Sequence, residues 1–167
     1  VLPGESTVKI KVADKTYENR LLMQRDPASE MSLTDMKLQY DAAMNLYHLH
    51  EDLAKLVDSI STTQQMLKEN LASIKNPKVK KLMEEYNSKL EDVRSRCLAT
   101  KQKSIFADEK KLREDITDVY ASICNQETPP SNLQMERIQT LVQQLADARK
   151  VKQAVNTQYQ EKVQAAL

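Results

Sequence analysis

The side chains best suited to bind a metal lie together at residues 48–52, His-Leu-His-Glu-Asp. On a helix, positions i and i+2 point about 200° apart, so His48 and His50 cannot share one ion. His48 and Asp52 lie one turn apart and are the candidate pair of ligands. A structural or catalytic zinc site needs further protein ligands, and the sequence signals none nearby. We therefore expect a solvated His48 and no resident metal or other cofactor.

Two cysteines and many carboxylates are the remaining groups with nucleophilic or acid–base chemistry. Cys97 falls in an apolar helical register and Cys124 lies beside one. No histidine is near either cysteine in sequence, so a Cys–His nucleophile has no local support. We expect two buried free thiols without a disulfide. The carboxylates lie on charged helix faces, and none is singled out as a general acid or base. We therefore do not expect this chain to be an enzyme.

Charge and composition argue against several binding functions. Lys and Arg number 25 and Asp and Glu number 24, so the net charge is +1. Acids accompany the lysine-rich stretches, which does not favour nucleic acid or an anionic membrane. Gly4 is the one glycine, so there is no glycine-rich phosphate loop. No apolar run reaches about 18 residues, which predicts no transmembrane helix. A protein partner is the expectation that remains, and an oligomer is compatible with it.

The first 27 residues have the pattern of a β-hairpin. Apolar and polar residues alternate over residues 7–12 and 16–24, with Asn19 as an interruption. Each run places its apolar side chains on one face: Val8, Ile10 and Val12, then Tyr17, Leu21 and Met23. Residues 13–15 are the expected turn. An isolated hairpin is marginal in water, so we expect this one to pack on the helices that follow or on a preceding sheet.

Residues 28–167 have the 3.6-residue period of helices. Scarcity of glycine itself argues against sandwich and α/β folds, which use many glycines in turns. Ser32 with Asp35, Asn76 before Pro77, and Ser131 with Gln134 predict three helix starts. The apolar stripe expected for the second helix is Val79, Leu82, Tyr86, Leu90, Val93 and Cys97.

Helix lengths indicate how these segments assemble. The first helix, expected to end near residue 74, is about 63 Å long and the last about 54 Å. Residues 77–101 and 108–125 add up to about 65 Å if they run collinearly. Whether residues 101–108 break the helix is open. The fold expected is a mainly α, elongated antiparallel three-helix bundle with a broken middle helix, preceded by the hairpin. An unequal four-helix bundle is the alternative.

The hairpin and its junction carry a resemblance to a known family. The segments are residues 2–12 (Leu-Pro-Gly-Glu-Ser-Thr-Val-Lys-Ile-Lys-Val), 15–17 (Lys-Thr-Tyr) and 25–27 (Arg-Asp-Pro), followed by Ser-Leu-Thr-Asp at 32–35. They resemble the end of the C-terminal β-sandwich, and the helical tail after it, in bacterial exported proteins with a sortilin-like (VPS10-type) β-propeller. Those proteins are often labelled glycosyl-hydrolase-like. Ser6 stands where that family has an aromatic residue, and the turn lacks the family's glycine.

The resemblance implies a non-catalytic C-terminal domain of a larger exported protein, periplasmic or extracellular, that serves packing or protein–protein interaction. Residues 1–27 would then be the hairpin left from a sandwich, and residues 28–167 the helical bundle. No catalytic residue of the family maps onto this chain, so any activity of a parent protein lies outside it. Two alternatives remain: a self-standing helical adaptor or oligomerisation module, and a metal- or ligand-binding bundle that uses His48 and Asp52.

Overall fold

A computed structural model describes residues 2–99 and 110–165 of the chain. This part is mainly helical, with four helices after an N-terminal antiparallel β-hairpin. The elements are β1 (Gly4–Val12), β2 (Lys15–Met23), α1 (Leu33–Leu71), α2 (Pro77–Cys97), α3 (Leu112–Cys124) and α4 (Asn132–Gln164). The expected break at residues 101–108 lies entirely outside the described residues.

The predicted hairpin is confirmed, with a tighter turn than expected. Gly4 lies opposite Met23 and Val12 opposite Lys15, so two residues alone form the turn. Lys15, expected in the turn, belongs to β2. Ala13 has a φ of 50°, a left-handed conformation that costs a residue with a Cβ on the order of 1 kcal/mol. The turn therefore holds local strain that a glycine would not have.

The three helix starts predicted from sequence are confirmed. Ser32 Oγ accepts a hydrogen bond from the Asp35 N–H at 3.1 Å, and Ser131 Oγ accepts one from the Gln134 N–H at 3.2 Å. Asn76 Oδ1 accepts one from the Lys78 N–H at 3.0 Å, with Pro77 in the first turn. Each cap satisfies a donor that the helix leaves unpaired. These contacts span two or three residues, which is why the sequence alone predicts them.

The hydrophobic core is built by helices. Apart from Met31 and Pro130, every buried apolar side chain in the described residues lies on a helix, and no residue of β1 or β2 is buried. At the second core position of α2 the buried residue is Met83, whereas Leu82, expected in the stripe, is only partly buried. Positions 79, 83, 86, 90, 93 and 97 alternate steps of four and three without interruption, which keeps one narrow face toward the core.

Polar contacts show which parts of the helices lie side by side. Gln39 of α1 donates hydrogen bonds to the backbone carbonyls of Ile123 and Gln126, each at 2.7 Å, beside the end of α3. Further along α1, Gln64 donates to Glu91 of α2 at 3.1 Å. Both α2 and α3 also pack on α4, whereas they make few contacts with each other. The shorter helices thus lie against different parts of the two long ones.

The hairpin is separate from this core. Within the described residues, β1 and β2 pack on each other and on no helix. Of the two packing partners expected for the hairpin, the following helices therefore do not contact it in this part of the chain, and packing on a preceding sheet stays a prediction. The helices form their caps and their core without contacts from the hairpin, and the segment between β2 and α1 separates the hairpin from their surfaces. None of the described helices combines the length and the apolar character needed to span a bilayer.

Candidate functional site

The register of the hairpin collects its apolar side chains on one surface. Val8 lies opposite Asn19, Ile10 opposite Tyr17, and Leu21 opposite Ser6. We call this surface the apolar hairpin face, which consists of Val8, Ile10, Val12, Tyr17, Leu21 and Met23. Two nine-residue strands make a face of roughly 300 Å². Ser6, Asn19 and Lys15 share this face, so its apolar part is smaller. Exposed apolar side chains grouped on one surface of a small domain often mark an interaction site.

The exposure of this face is high. Ile10 and Tyr17 are each 58% exposed, and Leu21 is 51% exposed. The sequence pattern predicted which side chains share the face. The structure adds that nothing in the described part of the chain covers them. Water therefore contacts a surface that would gain free energy by packing against apolar atoms.

The opposite face of the hairpin is polar apart from Leu22, which lies opposite Glu5 and is 59% exposed. Lys9 Nζ lies 2.6 Å from Glu18 Oε1, directly across the strand pair, and Arg20 Nη1 lies 3.9 Å from Glu5 Oε2. All four side chains are more than half exposed. Pairs of this kind contribute little stability but keep a surface solvated. The hairpin is thus amphipathic, and an apolar partner has one face to bind.

His48 and Asp52, the two candidate metal ligands, contact different side chains. His48 Nδ1 lies 3.2 Å from Glu51 Oε2. Asp52 Oδ2 lies 2.9 Å from Arg149 Nη2 of α4. The hydrogen bond from Arg149, with the positive charges of Arg149 and Lys55, lowers the pKa of the Asp52 carboxyl against a smaller effect of desolvation. In residues 2–99 and 110–165, His, Cys, Asp and Glu form no group of three or more suited to a metal ion.

The two thiols differ, and one prediction about them is wrong. Both are free, as expected. Cys97 is completely buried in α2, and burial raises the pKa of its thiol. Cys124 is exposed rather than buried. Ile123 occupies the last core position of α3, and the next residue on a helix points about 100° away from it. A hydrogen bond with Cys124 raises the pKa of Tyr120.

A small cleft lies between α1 and α3. It has a volume of about 260 Å³ and is lined by Leu46, Tyr47, His50, Ile116, Thr117 and Tyr120. His50 and Tyr47 both line this cleft. Ligand sites typically enclose about 300–1,000 Å³ and bury most of the ligand. This open cleft is smaller, and no convergent set of polar groups marks a ligand in it.

Comparisons with known proteins give no match: no family model, no curated protein and no solved structure matches the chain. Among the described residues, the apolar hairpin face groups several exposed apolar side chains on one surface that no described helix covers.

Proposed function

We propose that this chain is a non-catalytic helical domain that binds a β-rich protein domain through the apolar hairpin face. The observation that carries the proposal is the exposure of Ile10, Tyr17 and Leu21 on a hairpin that packs on no described helix. A two-stranded hairpin gains stability when its apolar face is covered. Packing of two sheets face to face is the usual way in which such a face is buried.

The resemblance, whose specific part covers roughly residues 2–50, supplies a context for this surface. In that context the domain belongs to a larger exported protein, periplasmic or extracellular, and the hairpin completes the sandwich that precedes the helices. The partner is then a domain of the same polypeptide, and any catalytic activity belongs to that part. The amphipathic hairpin supports this proposal because the inner strand faces of a sandwich are apolar and the outer faces polar.

We further propose that the helices form the elongated antiparallel three-helix bundle with a broken middle helix. The supporting contacts run in order along α4: Arg137 Nη2 lies 2.8 Å from Asp115 of α3, and Asn156 accepts a hydrogen bond from Tyr86 of α2 at 3.0 Å. An unequal four-helix bundle requires α2 to pack along α3, and these helices make few contacts. A bundle of this shape acts as a spacer that holds the hairpin at one end.

Site-specific photocrosslinking tests the docking of the hairpin. A photoreactive amino acid is placed at Ile10 on the apolar face, or at Lys9 on the charged face as a matched control, in the full-length protein in its own cells. We expect crosslinks from position 10 to a β-strand segment, identified by mass spectrometry, and few from position 9. Equal crosslinking from both positions, or crosslinks from position 10 only to α1–α4, would contradict the proposal.

A further inference from the structure

The hairpin has open strand edges as well as an apolar face. Within the described residues the sheet contains β1 and β2 alone, so each strand has one edge without a neighbour. Such an edge presents backbone N–H and C=O groups that template pairing with another strand. Since a two-stranded sheet is only marginally stable, further strands would stabilise it. The two edges of this hairpin are not equivalent.

A side chain already occupies a backbone donor at the outer edge of β2. Hydrogen-bonded and non-hydrogen-bonded pairs alternate along an antiparallel ladder, and the Val12–Lys15 pair that closes the two-residue turn is a hydrogen-bonded one. Counting from there, the pair Thr7–Arg20 directs its backbone groups outward. On β2, Asn19 Oδ1 accepts a hydrogen bond from the Arg20 N–H at 2.9 Å. Asn19, the interruption in the apolar pattern, therefore occupies the outer edge of its own strand.

The edge of β1 is open and carries a self-complementary charge pattern. Its outward residues are Glu5, Thr7, Lys9 and Lys11, and no side chain in the described residues bonds to their backbone groups. When two copies of β1 pair antiparallel about Val8, Glu5 of each copy lies opposite Lys11 of the other. Because β1 runs from Gly4 to Val12, the same register pairs the strands over their full length.

Neighbouring registers are less favourable. Pairing about Lys9 places the two copies of Lys9 opposite each other, and like charges directly opposite destabilise a strand pair. Pairing about Thr7 places Glu5 opposite Lys9 but confines the paired segment to residues 4–10 of β1. Lys9 also lies 2.6 Å from Glu18, a closer contact than the 3.9 Å between Arg20 and Glu5. The register about Val8 also makes Val8 a neighbour of its own copy on the apolar face.

We propose that β1 pairs with β1 of a second copy of this chain, antiparallel about Val8, to form a four-stranded sheet. This contact uses the strand edge and leaves the apolar hairpin face free, so it goes beyond the docking function proposed above. One strand pairing buries less than the roughly 1,200 Å² of a standard stable interface. The dimer should therefore be weak and dependent on concentration.

Disulfide trapping tests the contact and its register. In the proposed pair, the two Val8 residues form a non-hydrogen-bonded pair with Cα atoms about 4.5 Å apart, within the range of a disulfide. In a Cys124→Ser background, which removes the exposed thiol, Val8→Cys should give a disulfide-linked dimer under mild oxidation. Leu21→Cys, on the same face but on β2, is the control and should crosslink much less. Equal crosslinking of the two variants would overturn the proposal, as would a Val8→Cys variant that stays monomeric.

Charge reversal tests the two symmetric ion pairs by sedimentation equilibrium. Lys11→Glu places two acids opposite each other in both halves of the interface, and should weaken dimerisation about tenfold, a magnitude expected for exposed cross-strand charges. The double variant Glu5→Lys with Lys11→Glu restores opposite charges and should restore the affinity. Lys15→Glu, on β2 next to the turn, should have little effect.

Each outcome separates this contact from the docking function. A wild-type chain that is monomeric to near-millimolar concentration overturns the dimer, and so does a dimer that Lys11→Glu leaves unchanged. An Ile10 crosslink to a strand of another domain supports face docking alone, so a Val8→Cys variant that stays monomeric overturns the dimer whether or not that crosslink forms. Neither result alters the face-specific crosslinking expected for the apolar hairpin face.

Discussion

Similar apolar residues are exposed in the hairpin and buried in the helical region. Ile10 in β1 is 58% exposed, whereas Ile60 in α1 is completely buried. Each strand follows the alternation that normally buries one face, and each helix has a comparable stripe. The difference teaches that a strand pair satisfies its own backbone by a local ladder and can form without a core. Long helices, in contrast, obtain most of their stability from the packing of one face.

Polar contacts are local in the hairpin, whereas in the helical region they join segments that are distant in sequence. The hairpin's Lys9–Glu18 contact joins two strands nine residues apart in sequence. In the helical region, Tyr86 reaches Asn156 and Arg149 reaches Asp52 across separate helices. The ring of Tyr86 also stacks on Tyr159, with centroids 5.5 Å apart. Loss of a helical contact should therefore destabilise the whole fold, and loss of a hairpin contact should affect the hairpin alone.

Truncation of a matched isoleucine should give the largest difference. Ile60→Ala opens a cavity in the core and should lower the free energy of unfolding by about 2–5 kcal/mol. Ile10→Ala changes an exposed side chain and should lower it by less than about 0.5 kcal/mol. Urea denaturation followed by helical circular dichroism measures both. Similar losses for the two variants would show that the hairpin is part of the cooperative core.

Removal of a tyrosine hydroxyl should give the next largest difference. Tyr86→Phe leaves Asn156 without this bond and should cost about 1–2 kcal/mol of unfolding free energy. Tyr17→Phe, at a 58% exposed position on the hairpin, is the matched control and should cost almost nothing. The same denaturation experiment applies. An equal cost at position 17 would indicate a hydroxyl contact that the described structure lacks.

Tyr86 should also make the stability depend on alkaline pH. Burial raises the pKa of its phenol above the ordinary 10.0, so the unfolded chain loses this proton first. The contribution is complete below pH 10, and it is lost as the pH rises through the raised folded-state pKa. Stability measured across this range should fall less steeply in Tyr86→Phe than in the wild type. An unchanged slope would contradict the assignment.

The ion pairs should give smaller effects. Arg149→Gln removes the partner of Asp52 and should cost no more than about 1 kcal/mol, since both side chains are over 40% exposed. Because the pKa of Asp52 is lowered from 3.8, the contribution is complete above pH 3.8 and is lost as the pH falls through the folded-state pKa. Denaturation at neutral and acidic pH checks this. Lys9→Gln should leave the helical transition unchanged.

A glycine in the hairpin turn should give the smallest effect. Ala13→Gly relieves the strain of the positive φ, offset in part by the greater entropy of glycine in the unfolded state. We expect a gain of a few tenths of a kcal/mol in hairpin stability. Amide hydrogen exchange in β1 and β2 should slow by up to about twofold, while the helical transition stays the same. Faster exchange would contradict the strained turn.

Local signals allowed much of the fold to be predicted. The caps at Ser32, Asn76 and Ser131 and the face shared by Val8 and Ile10 depend on neighbours within a few residues. The errors occur at the edges of stripes. Leu82 and Met83 both suit a core position, and Cys124 follows a core residue by one. A rotation of the helix by a few tens of degrees decides such cases, and the packed neighbours set that rotation.

The candidate site was predictable in part for the same reason. Sequence alone identified His48 and Asp52 as a pair one turn apart, but Arg149, which binds Asp52, lies nearly a hundred residues further along the chain. The amphipathic hairpin was predictable from its alternation. In the sequence, Asn19 appears only as an interruption of the apolar alternation. Its side chain accepts a hydrogen bond from the Arg20 N–H, and this contact depends on which edge of β2 faces outward.

By itself, the sequence determined the elements: a hairpin, helices with defined starts, and the side chains that share each face. Those features follow from backbone hydrogen bonding and from periods of two and 3.6 residues, which act over short distances. Only the tertiary structure decided that the helices form a core without the hairpin, that Cys124 is exposed, and that Asp52 binds α4. Burial depends on which surfaces meet, and that is a property of the assembled chain rather than of any segment.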